Sequence, residues 1–139
     1  MSALSNGRRP TRLWRALIVV SDTSRQIALR SVLRETGLFE TILSAASADA
    51  AYAMLDEAAP DLVLAGLEAD GGVPLLAHPG LSSHVEALAG RIVVVSDQPL
   101  DPETTASLRN RPEVAMVAVL PLTSSTLAEV LAALAPRRP

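Results

Sequence analysis

Three acidic side chains, Asp22, Glu68 and Asp70, stand shortly after apolar runs of the sequence and are candidate ligands of a hard cation. Carboxylate oxygens are the ligands that such a cation prefers in proteins. Acids in loops are more often solvated turn residues, however, and the glycines at positions 71 and 72 indicate a turn. We therefore favour the turn and predict no metal site and no cofactor.

Ser96, which follows the apolar run 92–95, is a candidate nucleophile. A serine needs a neighbouring base for activation, and neither histidine stands in register to supply one. Serine at the end of a strand commonly caps the local backbone, which is the interpretation we favour. His84 and Glu86 are spaced as in zinc deaminases, but those sites also need cysteine ligands. An exposed helix face is the expected setting of His84, and a loop that of His78.

The composition excludes several kinds of chemistry. The chain has 139 residues and no cysteine, so disulfides and thiolate sites are excluded. All twelve basic residues are arginines, so no mechanism can use a lysine ammonium. Between residues 16 and 136 there are 6 arginines and 15 acids, a balance of −9. We expect no nucleic-acid binding by the body of the domain.

The ends of the chain differ from its body. Residues 1–13 are predicted to form a flexible basic leader, residues 14–136 a single domain, and residues 137–139 a short basic tail. No apolar run approaches the length of a membrane span, and the N-terminus has no signal-peptide core. A cytoplasmic protein is the expectation.

Short apolar runs alternate with segments of helical periodicity along the chain. The run 62–65 is too short for a helix and does not alternate, which favours an inner strand of a parallel sheet. Helix starts are indicated by Asp22 or Thr23, by Ser47 and by Asp101. The predicted strands are 16–20, 40–45, 61–66, 92–95 and 114–120; the predicted helices are 24–36, about 47–59, a distorted 73–89, about 102–110 and 124–135. This order predicts an α/β fold with a doubly wound, five-stranded parallel sheet.

From about residue 14 to 135 the chain resembles the receiver domain of two-component response regulators. Four stretches carry the resemblance in the family's order: 17–22, 60–64, 92–96 and 120–121. The resemblance implies a (βα)5 flavodoxin-like fold. It also implies a set of groups that accept a phosphoryl group: two acids that hold Mg²⁺, an aspartate nucleophile, a Ser or Thr, and a lysine before a proline.

Three of these positions depart from the family's pattern. Gly66 stands at the phosphoacceptor position, Ser21 replaces the first acid of the pair, and Leu120 replaces the lysine. A carboxylate that attacks an anionic donor needs a divalent cation and a fixed positive charge to offset the repulsion. The joint loss predicts a vestigial phosphorylation pocket with no catalytic residue. The positions that match the pattern are Asp22, Ser96 and Pro121.

The leading hypothesis is a pseudo-receiver that signals by protein–protein contact without accepting phosphate. The resemblance implies as partner a histidine kinase, a phosphotransfer protein, an effector, or a second copy bound through the fourth helix, fifth strand and fifth helix. Small apolar residues on that surface also fit an Ala-rich core, and both interpretations stay open. The alternative is a sensor that binds a metabolite or nucleotide in the vestigial pocket. An enzyme of unfamiliar chemistry ranks last.

Overall fold

The structure, a computed structural model, describes residues 14–67, 73–120 and 122–134. Strands and helices alternate along these residues. The strands are β1 (Trp14–Val19), β2 (Phe39–Ala45), β3 (Leu62–Gly66), β4 (Ile92–Ser96) and β5 (Val114–Val119). The helices are α1 (Thr23–Thr36), α2 (Ala48–Ala58), the single turn α3 (Val85–Leu88), α4 (Pro102–Arg109) and α5 (Ser124–Leu134), with a 3₁₀ helix at Pro79–His84.

All five strands lie in one parallel sheet, in the order β2-β1-β3-β4-β5. The reversal of strand order at β1 places helices on both faces of the sheet, as a doubly wound fold requires. The predicted fold class is therefore confirmed. Since the strands are parallel, the C-terminal ends of β1, β3, β4 and β5 meet at one edge of the sheet.

Strand β3 lies at the centre and separates two apolar clusters. Leu62 and Leu64 pack into the cluster beneath α1 and α5, where Leu29 and Leu127 are buried. Val63 faces the opposite cluster, beneath α2 and α3. Every residue of β3 is buried, because both faces of the strand are covered by helices. The prediction of an inner strand is confirmed.

Side-chain caps begin four of the helices; at the start of α5, Thr123 Oγ1 accepts from the backbone N–H of Thr126 at 3.2 Å. Asp22 accepts a hydrogen bond from the backbone N–H of Arg25, and Ser47 and Asp101 do the same for α2 and α4. These contacts satisfy donors that have no partner inside the helix. Helix α2 ends at Ala58, two residues before Pro60, where Ala59 takes a left-handed conformation with φ of 41°.

Several predictions differ from the structure or lie beyond it. Of the distorted helix predicted at 73–89, the structure has the 3₁₀ helix at Pro79–His84 and the single α-helical turn at Val85–Leu88 that follows it. Strand β1 begins at Trp14, two residues earlier than predicted. The indole ring of Trp14 packs edge-on against the ring of Phe39, with ring centroids 6.4 Å apart. The predicted leader (1–13) and tail (137–139) lie outside the described residues. Within the described ranges, no helix is both long and apolar enough to cross a bilayer.

Candidate functional site

The strand ends bring the predicted pocket residues to one edge of the sheet. Gly66 pairs with Val95, the residue before Ser96, and the N–H of Leu67 donates to the Val95 carbonyl at 3.0 Å. On the other side of β4, the N–H of Leu120 donates to the Ser96 carbonyl at 2.7 Å. The sheet register thus brings Ser96 and Leu120, which stand 30 and 54 positions after Gly66 in the chain, to strand tips at the same edge. Pro121, Glu68 and Asp70 lie outside the described residues.

Gly66 ends β3 in a buried position. A Cβ added there would lie 3.4 Å from Cγ2 of Val20, which is ordinary contact, and the φ of Gly66 is not positive. The glycine is therefore required neither by close packing nor by backbone conformation. A side chain could be built at this strand tip, but the sequence has none.

The neighbouring tip, at the end of β1, carries Ser21 and Asp22, both of which are exposed. The Asp22 carboxylate caps α1: its Oδ2 accepts from the Arg25 N–H at 3.3 Å. The same oxygen lies 3.9 Å from Nε of Arg25. The one acid that matches the family's pair is thus engaged with its own helix.

Arg25 connects this acid to the tip of β4. Its guanidinium forms an ion pair with the carboxylate of Asp97 as well as lying near Asp22. An arginine from α1 therefore supplies positive charge where two carboxylates converge. Among the described residues no cluster of three potential metal ligands is present, and two members of the acidic trio weighed above, Glu68 and Asp70, lie beyond them.

The hydroxyl of Ser96 is buried in a local turn. It donates to the carbonyl oxygen of Gln98 at 2.7 Å and accepts from the Gln98 N–H at 3.3 Å. This is the cap-like role that serine commonly plays at the end of a strand. The single proton of the Ser96 hydroxyl is therefore donated within the turn and not to a general base.

Leu120, at the lysine position, packs partly buried against the cluster beneath α1 and α5. It also lines a hollow of about 390 Å³ between α1 and the loops that follow β4 and β5. The hollow has mostly apolar walls and two charged groups, Arg25 and Asp97. Its lining residues are Ser24, Arg25, Ala28, Leu29, Val32, Asp97, Leu120 and Leu122.

The two histidines lie away from the strand tips, beside α2. His78 is in a loop as predicted, and its Nε2 lies 3.0 Å from Asp49 Oδ1. The prediction that His84 lies on an exposed helix face is wrong, because its side chain is only 16% exposed. Nε2 of His84 lies 3.1 Å from Oδ1 of Asp56. The side chain of Glu86 lies outside what the structure describes. Neither histidine is part of the strand-tip site.

Arg25 is the site residue that sequence reasoning missed. Its three-residue spacing from Asp22 on a predicted helix was a usable signal, because such positions share a helix face. Its pairing with Asp97, 72 positions further along the chain, was not readable from spacing, because it depends on how α1 packs across the sheet.

No protein-family model matches the chain, and a search of curated protein sequences also gives no match. Solved structures do match. A two-component response regulator from Cytophaga hutchinsonii superposes with a TM-score of 0.71 at 20% identity, over 90% of this chain and 99% of that chain. The isolated receiver domain of RcsB from Salmonella enterica serovar Typhimurium, in the presence of the phosphomimetic BeF3-, gives 0.71 at 13% identity, over 90% of each chain.

A third similar structure is the receiver domain of the PhyR response regulator from Erythrobacter litoralis, with a TM-score of 0.62 at 20% identity over 88% of this chain and 90% of that chain. The likeness in all three cases spans most of both chains. Together they show that this chain has the fold of receiver domains.

Proposed function

We propose that this protein is a pseudo-receiver, a signalling domain that acts through protein contact and does not depend on phosphorylation. The observation that carries the proposal is the set of side chains at the C-terminal edge of the sheet. Its central tip ends in Gly66, and the acids beside it are paired with Arg25. The receiver fold of the similar solved structures supports a role in signal transduction.

The physical argument rests on what phosphoryl transfer to a carboxylate requires. It needs a nucleophile, a divalent cation and a fixed positive charge aimed at the phosphoryl oxygens. Gly66 offers no nucleophile, Ser21 leaves Asp22 without its acidic neighbour, and Leu120 packs against the core instead of presenting a cation. We infer a non-enzymatic role that uses neither a metal nor another cofactor.

The surface for contact is proposed to be formed by α4, β5 and α5. Strand β5 is an edge of the sheet, and Val119 at its end is 43% exposed. Helix α4 contributes no buried residue, and Ala128 and Ala132 of α5 are exposed. A signalling protein (a histidine kinase, a phosphotransfer protein or an effector) or a second copy of the chain would bind there.

The prediction that the protein does not accept a phosphoryl group is tested by incubating it with acetyl phosphate and Mg²⁺ and measuring its intact mass. The expected result is an unchanged mass. A stoichiometric phosphoryl adduct would refute the proposal, whichever residue carried it.

The contact surface is tested by isolating the tagged protein from its own cells and comparing two variants. Val119→Arg should lose the partner or the dimer, because it places a charge in the proposed interface. Ile27→Arg is the matched control, since Ile27 is 61% exposed on α1. Loss of binding with Ile27→Arg alone would place the contact on α1 instead.

A small-ligand sensor is the second candidate, favoured by the hollow beneath Leu120. Its volume of about 390 Å³ lies in the range typical of small-molecule sites, and its walls combine apolar side chains with Arg25 and Asp97. A metabolite or nucleotide that binds there must raise the melting temperature. Ala28→Trp would fill the hollow and abolish that rise, whereas Ser31→Trp, at an exposed position of the same helix, would not.

A further inference from the structure

One wall of the hollow beneath Leu120 is a face of α1. Ser24, Ala28 and Val32 line the hollow and follow one another at a spacing of four residues. Residues at this spacing lie on the same side of a helix. Ala28 is exposed, whereas Val32 is half-buried. The small side chain at position 28 therefore leaves the hollow open to solvent.

The deeper part of the hollow is apolar. Leu29 and Leu122, which line it, are buried side chains of the cluster beneath α1 and α5. Leu120 packs against the same cluster and places an aliphatic side chain where the receiver pattern has a lysine. These side chains offer no hydrogen bond, and a polar group buried without one is unfavourable. The part of a ligand that lies against them must therefore be apolar.

The charged groups of the hollow are paired with each other. Among the described residues that line it, Arg25 is the one cation and Asp97 the one acid, and the two form an ion pair. The carboxylate of Asp22 lies beside them, 3.9 Å from Nε of Arg25. Two carboxylates therefore share one guanidinium, and the three groups together carry a net negative charge.

This arrangement disfavours ions of either sign. A phosphate or carboxylate would meet two carboxylates, and the partial positive charge at the start of α1 is already met by the Asp22 cap. An ammonium group would meet the guanidinium of Arg25. A neutral hydrogen-bonding group meets neither obstacle, because a guanidinium has five N–H groups, more than two carboxylates use. Such a group can accept from Arg25 and donate to Asp97.

We propose that the hollow beneath Leu120 binds a small uncharged molecule that has an apolar body and one hydroxyl or amide group. The body lies against Leu29, Leu120 and Leu122, and the polar group bonds Arg25 and Asp97. The volume of about 390 Å³ suits such a molecule. The inference rests on the second candidate function, the small-ligand sensor, and names the class of its ligand. Nucleotides and other anions are excluded from that class by the two carboxylates.

The ligand class is tested with three probes that share one six-carbon chain and differ in charge: hexanol, hexanoate and hexylammonium. Each is titrated into the full chain, and binding is followed by the methyl NMR signals of Val32, Leu120 and Leu122. We expect hexanol to bind at least about threefold more tightly than either ion, since it opposes no charge at the exposed ion pair. Equal or tighter binding of hexanoate or hexylammonium would overturn the proposal.

The apolar body is tested by the length of the alcohol chain. From butanol to hexanol the affinity should rise about twofold to fourfold with each added CH₂ group, because each group leaves water for the apolar wall. An affinity that does not change with chain length would refute the apolar contact. Failure of all the probes to bind would also remove the sensor function, whereas preference for an ion would overturn only the ligand class. Phosphorylation by acetyl phosphate, which tests the pseudo-receiver, is a separate measurement.

The position of the site is tested by filling the hollow. Ala28→Trp should abolish the binding of hexanol, because the indole ring would occupy the space beside Val32. Ser31→Trp adds the same ring at an exposed position of α1 outside the lining and should leave the affinity unchanged. Undiminished binding to Ala28→Trp would place the site elsewhere and overturn the proposal.

The exclusion of anions is tested at Asp97. Asp97→Asn keeps an oxygen that accepts hydrogen bonds but removes one of the two charges that oppose an anion. The affinity for hexanoate should rise about threefold to fivefold, as expected for an exposed charge pair, and that for hexanol should stay within about twofold. Glu103→Gln, at an exposed position of α4 outside the lining, removes the same net charge and should change neither affinity. Equal effects of the two variants on hexanoate would contradict the role assigned to Asp97.

Discussion

Arg25 of α1 forms an ion pair with Asp97, the residue that follows β4, and so links a helix to a neighbouring strand tip. The same guanidinium lies 3.9 Å, measured at Nε, from the capping carboxylate of Asp22. A protein cation therefore lies between the two carboxylates that converge at this edge. It is held by the fold and offsets their repulsion.

A double-mutant cycle should detect this pair. We expect Arg25→Gln and Asp97→Asn each to lower the free energy of unfolding by less than about 1 kcal/mol, because the pair is partly exposed. The double variant should lose no more than either single one, as measured by urea unfolding. Additive losses would show that the two residues act independently. The loss should also shrink at high salt, since exposed charges are screened.

Replacing Asp22 should affect stability through the helix cap. Asp22→Ala should destabilise the protein by about 1 kcal/mol because the Arg25 N–H loses its acceptor, while Asp22→Asn, which can still cap, should cost much less. Urea unfolding with and without millimolar Mg²⁺ checks both points. A stabilisation by Mg²⁺ that Asp22→Asn abolishes would instead identify a metal site.

Repair of the phosphoacceptor should need more than one substitution. Gly66→Asp meets no steric clash at its Cβ, which would lie 3.4 Å from Val20 Cγ2. We expect the single variant to take up no phosphate from acetyl phosphate, because the metal ligand and counter-charge are still missing. Uptake should begin only with the triple variant that adds Ser21→Asp and Leu120→Lys, as intact mass would show. Ready phosphorylation of the single variant would contradict our account of the site.

Gly80→Ala should loosen the segment 78–84. Its methyl group would overlap the end of the Tyr52 ring, so the ring must move and the stack on His78 is lost. We expect a loss of about 1–3 kcal/mol in the free energy of unfolding, the range typical of overpacking. In a Tyr52→Ala background the same substitution should cost clearly less. An undiminished cost there would assign the effect to the backbone of residue 80.

The start of α4 should weaken on acidification. The side chain and backbone N–H of Thr104 donate to Asp101 and hold the pKa of that carboxyl below its usual range. The charged carboxylate therefore favours the folded state above the unfolded pKa, and this contribution is lost as pH falls through the lowered folded pKa. Fraying of α4, followed by amide exchange, should increase at that point. Asp101→Asn should remove this acid-dependent step.

Much of the fold was readable from local patterns. The run 62–65 predicted a strand buried on both faces, and the capping residues Asp22, Ser47 and Asp101 all cap the helices they were predicted to begin. Local signals were weaker between 73 and 89, where proline and glycine interrupt the pattern. Tertiary packing of Leu75, Leu76 and Leu81 into the core holds that segment as a turn, a 3₁₀ helix and a single α-helical turn.

The sequence by itself determined which chemical groups this protein lacks. A glycine at position 66, a leucine at position 120 and the absence of lysine and cysteine are properties of the chain that no folding can change. Only the tertiary structure decided what the remaining charged groups contact. Arg25 meets Asp97, and His84 meets Asp56, because packed helices and loops bring together residues far apart in the chain. Such contacts depend on three-dimensional packing, which local spacing does not encode.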